Sequence, residues 1–223
     1  MQTFVKNNKS WLRPGLILLY TAILILPGYV FFSQRGGLDF YQTDNFKTFA
    51  SLIFPLFGLY AFTLVWAQSI IGMNMYYFSR LFGSAVSFHR SQGLLALVFA
   101  TTHVFSIQYI YGMQQYIGFK FLTEDTRIFA FFGAIAFYLL ILTIVVALFR
   151  RTKILRRAWR YIHYINYAIF ILVLVHSRNL GSDIQGTVLN YLWHFYLLTF
   201  VASFAFRLFR GFAPRKIVQT AST

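Results

Sequence analysis

Four of the five histidines in this chain form two pairs of nearly equal spacing, His89 and His103 lying 14 residues apart and His163 and His176 lying 13 apart. Imidazole ligates metals and exchanges protons near neutral pH. On a helix rising about 1.5 Å per residue, each spacing separates its two histidines by roughly 20 Å along the axis. Two histidines that face one another from different helices at one depth supply both axial nitrogens of a six-coordinate haem iron. Four histidines at two depths therefore imply two such centres, with His89 and His163 at one level and His103 and His176 at the other. Zinc is the natural rival for a four-histidine set, but levels about 20 Å apart would each offer it only two ligands. The chain has no Cys, which removes Cys-ligated zinc, iron–sulfur clusters and disulfides from consideration.

The depth argument requires long helices in a fixed orientation, and the distribution of charge provides them. Apolar residues make up 58% of the 223, and only 25 residues are charged. Six windows carry no charge: Pro14–Gln34, Thr48–Ser79, Ser91–Phe119, Ile128–Phe149, Tyr161–Ser177 and Ile184–Phe206. Each reaches the roughly 17–25 residues that a helix needs to cross a bilayer core. The composition excludes a soluble globular enzyme. The expected fold is all-α and integral to the membrane, a six-transmembrane-helix bundle.

The net charge of +15 follows topology and does not point to nucleic acid. All five acids, Asp39, Asp44, Glu124, Asp125 and Asp183, lie after the first, third or fifth window, together with five bases. The other 15 bases occupy the N-terminal tail, the second and fourth connections and the C-terminal end. This positive-inside pattern predicts that both termini are cytoplasmic, and it gives the basic runs to topology and phospholipid contact. The expected setting is a bacterial inner (plasma) membrane, crossed several times.

The first apolar stretch is 21 residues long and lacks a small-x-small cleavage site, so it reads as a retained helix and not a signal peptide. The expected organisation is a cytoplasmic tail over residues 1–13, one haem-binding transmembrane domain over 14–210, and a second cytoplasmic tail over 211–223. No repeat or low-complexity block is visible.

On the third helix, His89, Gly93, Ala96, Ala100 and His103 follow steps of four and three, which trace one face. Only small residues lie between the two histidines on that face, so Gly93 and its neighbours give room for a flat macrocycle; close helix packing is the alternative use of such a stripe. The fifth helix fits less simply. Thirteen residues at about 100° each leave His163 and His176 about 140° apart, and a kink, a π-bulge or a different haem rotation must absorb the offset. Phe170 lies between the two levels and could fill the space between two porphyrins. His194 reads as a polar packing residue or as a neighbour of the outer haem.

The stretch from His89-Arg-Ser-Gln-Gly93 to His103, the segment Arg127–Arg157, and Trp159-Arg-Tyr-Ile-His163 through His176 resemble the ferric reductase-like transmembrane family. That family includes NADPH oxidases, ferric reductases and the haem-binding membrane subunit of the bacterial methionine sulfoxide reductase system. The resemblance covers about Phe46 to Arg210. It implies two b-type haems, held by His89 with His163 and by His103 with His176. The full four-histidine set is similar to the oxidase and reductase branch, because the sulfoxide reductase subunit usually has Arg at the position matching His89. The short chain is more similar to the subunit branch.

In the oxidases and reductases a flavin- and nicotinamide-binding domain follows the last helix. Here the chain continues only 13 residues beyond Arg210, with no G-x-G-x-x-G. The expected donor is a separate cytoplasmic flavoprotein reductase carrying FAD or FMN, or a membrane quinol; a truncated chain is the third possibility. Arg80, Arg90, Arg156, Arg157 and Arg160 could pair with haem propionates or with an acidic partner, and Arg178 with an outer propionate or a small anion. The expected function is a b-type cytochrome that passes electrons from the cytoplasm to an external acceptor such as ferric iron, oxygen or a periplasmic redox partner. The alternatives are a membrane subunit of a methionine sulfoxide reductase-like or quinol-linked system, and a non-redox transporter using histidines as a proton relay. The last usually carries internal repeats and broken helices.

Overall fold

The computed structural model describes residues 9–35, 37 and 42–212. Lys6, Asp39, Pro214, Arg215 and Lys216, and with them most of both expected tails, lie outside the described residues. Among those described, every regular element is helical. Six helices are long and apolar enough to cross a membrane: Ser10–Ser33, Phe46–Met73, Ala85–Tyr111, Glu124–Leu148, Leu155–Leu180 and Val188–Arg210. The protein is thus an all-helical, multi-pass integral membrane protein.

Local chemistry sets the boundaries where they differ from the charge-free windows. The second span starts at a cap in which Asn45 Oδ1 accepts from the backbone N–H groups of Lys47 and Thr48, satisfying donors that a helix start leaves open. It ends at Asn74, from which a short helix, Met75–Phe82, runs to Gly83 at φ +66°. The third span stops at Gly112, eight residues before the first charge at Lys120, because the chain there takes φ +76°, a conformation suited to glycine. The fifth span starts earlier than its window, at Leu155, since the arginines of the Leu155–His163 helix can extend their charged heads beyond the apolar zone. Glu124 and Asp125 fill the first turn of the fourth span, where carboxylates oppose the positive helix end.

The second span packs along the third and the fourth along the fifth, while the second also touches the first, fifth and sixth. Two helix pairs result, joined by contacts of the second span with the fifth and of the third with the fourth. Aromatic side chains whose polar atoms are paired hold the sixth span to this core. Trp66 stacks on Tyr196 at 4.4 Å between ring centroids and donates to the Thr199 hydroxyl at 2.9 Å. The Tyr196 hydroxyl donates to Thr63 at 3.1 Å, and Trp193 to Ser177 at 2.8 Å. In hydrocarbon, such pairing removes the penalty of an unsatisfied polar atom. On one side of the molecule Arg35 pairs with Asp183 at 2.5 Å, tying the end of the first span to the connection between the fifth and sixth.

Candidate functional site

The structure brings the four spaced histidines together as two facing pairs. The rings of His89 and His163 have centroids 6.1 Å apart and planes inclined by 78°; those of His103 and His176 are 6.5 Å apart and inclined by 85°. All four are partly buried. Among the described residues no three His, Asp or Glu side chains gather at one point, so each level presents two imidazoles.

The fifth span is interrupted between its two histidines. One helix, Leu155–His163, ends at the inner histidine; Tyr164 forms a turn; and a second helix, Ile165–Leu180, carries His176. The break is a single residue, Tyr164, at φ −68° and ψ −17°, whose N–H still reaches the Arg160 carbonyl.

The pair at the far level, His103 and His176, is oriented by one device used twice. His103 Nδ1 lies 2.9 Å from the carbonyl oxygen of Phe54, and His176 Nδ1 lies 2.8 Å from that of Phe129. Carbonyls only accept, so both Nδ1 atoms carry the proton and both Nε2 atoms keep their lone pair for a metal. Each carbonyl belongs to the residue four before a glycine, in Phe54-Pro-Leu-Phe-Gly58 and Phe129-Ala-Phe-Phe-Gly133. Helical side chains lean toward the N-terminus, so the residue at i+4 stands over the carbonyl of residue i. Glycine leaves that carbonyl open. A Cβ on Gly133 would come within 2.5 Å of His176 Nδ1, and one on Gly58 within 3.0 Å of the His103 ring.

The near level is built differently. The side-chain amide nitrogen of Asn166 lies 3.1 Å from His163 Nδ1 and donates to the His163 carbonyl at 2.6 Å. Thr143 of the fourth span donates to the Asn166 amide oxygen at 3.3 Å. His89 Nδ1 is buried without a hydrogen-bond partner, although Gln68 donates to the His89 carbonyl at 2.7 Å. Gly72 faces this ring, its absent Cβ 3.5 Å from Cε1. Gly58 and Gly72 are 14 residues apart, the same interval as His103 and His89, so one span presents a glycine at each level.

The other expected site residues take distinct places. Gly93 abuts Gln68 of the second span, 3.6 Å from where its Cβ would stand. Arg160 and Arg150 lie over the Trp159 ring at 5.9 and 5.7 Å, and that ring is 5.9 Å from His163. Arg207 joins them, donating to the Gly72 carbonyl at 3.3 Å and lying 5.6 Å over Tyr164. Arg178 donates to Asn190 at 2.6 Å. His194 is exposed and bonded to the Asn190 carbonyl one turn earlier, at 2.7 Å. Phe170 is fully buried between the levels, stacked on Phe62 at 5.4 Å and on Phe200 at 4.1 Å. The sequence reading did not single out Gly58, Gly72, Gly133, Asn166 or Arg207; the repeated Phe-x-x-Phe-Gly and the 14-residue glycine interval were the available signals.

A helical membrane domain with facing imidazoles at two depths is an arrangement suited to redox chemistry. Residues 56–174 match the family described as ferric reductase like transmembrane component, and the chain belongs to that family. The match runs from the second span into the fifth, takes in His89, His103 and His163, and ends two residues before His176. No curated protein and no solved structure matches the chain. Membership points to a membrane electron-transfer component.

Proposed function

We propose that this protein is a transmembrane b-type cytochrome that carries electrons through two haems, the inner held by His89 and His163 and the outer by His103 and His176. The observation that carries this reading is the separation of the facing rings. Two imidazoles that would hold one haem iron between them need ring centroids roughly 6 Å apart, and 6.1 and 6.5 Å are observed. Bound haem supplies the one-electron ferric/ferrous couple.

The chain's own residues do the rest. Phe54 and Phe129 hold the outer imidazoles with Nε2 presented, and Asn166 fixes the backbone at the inner His163 by donating to its carbonyl. Gly58, Gly72 and Gly133 let the rings lie close to neighbouring helices; Gly93 and the small residues after it keep the third span slim. The Phe62–Phe170–Phe200 stack excludes water between the two levels. Arg150, Arg160 and Arg207 supply positive charge at the inner mouth, where carboxylates of a porphyrin could be paired. Arg178, held by Asn190, supplies it at the outer one.

The charge asymmetry supports an orientation with both termini and the His89–His163 level toward the cytoplasm, in a bacterial inner membrane. Electrons would then enter from a cytoplasmic flavoprotein carrying FAD or FMN, or from a quinol, and leave to ferric iron, oxygen or a periplasmic redox protein. The test is vesicles containing trapped ferricyanide and the purified protein. Dithionite added outside should bleach the ferricyanide only when wild-type protein is present, and His176→Ala vesicles should match empty ones. Equal bleaching by wild-type and His176→Ala protein would overturn the reading.

A further inference from the structure

A cavity of about 570 Å³ lies between the first, second and sixth spans, bounded at one end by the Met75–Phe82 helix and the start of the third span. Its wall runs from Leu16 to Ile23 on the first span and from Phe195 to Ser203 on the sixth, roughly 10 and 12 Å of helix. The slot is therefore elongated along the spans, the direction in which acyl chains lie in a bilayer. Apolar side chains make most of the wall, Phe78, Phe82, Phe88 and Phe195 among them. Of its five polar side chains, Tyr20, Trp66, Ser84, Thr199 and Ser203, the first four are already bonded within the protein. Trp66 donates to the Thr199 hydroxyl at 2.9 Å, Thr199 to the Phe195 carbonyl at 2.7 Å and Ser84 to the Phe82 carbonyl at 3.3 Å, while the Tyr20 hydroxyl accepts from Gln92 at 2.9 Å. Such a wall gains dispersion contact from hydrocarbon and gives a polar group little to bond.

The end of the slot beside Leu16 carries a cation. Arg13 precedes Leu16 by three residues and Ile17 by four, so it stands one turn from them on the same helix face. Its guanidinium lies 5.8 Å over the ring of Phe82, a wall residue. Among the described residues the ion pairs are Arg35 with Asp183 and Arg127 with Glu124, so the charge of Arg13 is not matched by a carboxylate. Trp11, 81% exposed, marks this level as the membrane interface, where indole rings settle. We propose that the slot holds an acyl chain of one anionic phospholipid whose phosphate is bound by Arg13. The lipid joins the first span to the second and sixth as part of their packing, unlike lipid that only surrounds the bundle. Binding needs the membrane fold alone and not the haems.

The probe is phosphatidylglycerol added to delipidated protein in detergent, with the lipid retained per chain counted by mass spectrometry of the intact complex. Saturable binding of a single lipid is expected, and phosphatidylcholine, whose choline cancels the phosphate charge, should bind more weakly. Arg13→Gln should weaken phosphatidylglycerol about fivefold, the effect of one basic residue facing an anionic lipid head. Two variants fill the slot, Ala202→Phe from the sixth span and Ile17→Trp from the first, and each should abolish binding. Ile17 is 56% exposed, so its replacement leaves the fold intact and decides the matter if Ala202→Phe does not fold. Arg210→Gln, which removes a cation lining a different cavity, is the control and should bind as wild type does. Wild-type affinity in Ile17→Trp or in Arg13→Gln would overturn the proposal. So would equal weakening by Arg13→Gln and Arg210→Gln, which would reduce the effect to general attraction between a basic protein and an anionic lipid.

Discussion

Gly133 and His176 are packed so closely that a single methyl group on the glycine would fall 2.5 Å from the ring nitrogen that bonds to Phe129. Real carbon–nitrogen contacts do not reach that distance, so Gly133→Ala must displace either the ring or the helix. The expected result is loss of the outer haem alone, seen as half the wild-type haem absorbance with the inner centre intact. Gly93→Ala is the control. Its added carbon would meet Gln68 at 3.6 Å, an ordinary contact, and full haem content is expected. Equal haem loss in both variants would remove the distinction drawn between these glycines.

Replacement of Asn166 probes the inner level without touching a proposed ligand. In Asn166→Asp the amide nitrogen 3.1 Å from His163 Nδ1, a group that can only donate, is replaced by a carboxylate oxygen, which accepts a ring N–H at that position and leaves Nε2 to the iron. That raises the basicity of Nε2 and favours ferric over ferrous iron. One of two midpoint potentials in a redox titration should fall, and the other should stay. A shift of both, or of neither, would separate Asn166 from the inner centre.

Six spans and the pairing of the histidines by depth were legible in the sequence, as was an offset on the fifth span that a kink, a π-bulge or a different haem rotation had to absorb, because charge and helical periodicity are properties of residue types at positions. The spacing of 13 on the fifth span required an offset to be absorbed, and a one-residue turn at Tyr164 lies between the two histidines. The glycine cradle was not legible in the same way. Glycine is common in membrane helices for packing alone, and only the partner across the interface distinguishes Gly133, which meets a histidine, from Gly93, which meets a glutamine. Asn166 was hidden for a related reason: a side chain bonding back three positions is ordinary in a helix, and only the residue it meets sets this one apart.

The ion pair between Arg35 and Asp183 leaves the Asp side chain 9% exposed and the Arg side chain 20% exposed. Asp183→Asn leaves the guanidinium without its counter-charge, although Arg35 still lies 4.0 Å over the Phe31 ring. A loss of about 1–3 kcal/mol is expected, less than for a fully buried pair because Arg35 keeps some solvent. The measurement is the melting temperature in detergent, which should fall while haem content holds. No change in melting would show that water already screens the pair.

Orientation is open to a direct assay. A reporter fused after Thr223 should be active in the cytoplasm, and one inserted beside Asp183 should be active outside. The reverse pattern would reverse the direction of electron flow proposed for the two levels.

The central claim is that four histidines hold two haems, and counting haem tests it most directly. The protein purified from haem-sufficient cells should carry two b-type haems per chain, with the spectrum of a low-spin centre ligated by two imidazoles. His103→Ala and His176→Ala should each carry one. A chain without haem, or one that keeps two haems after either substitution, would contradict the account.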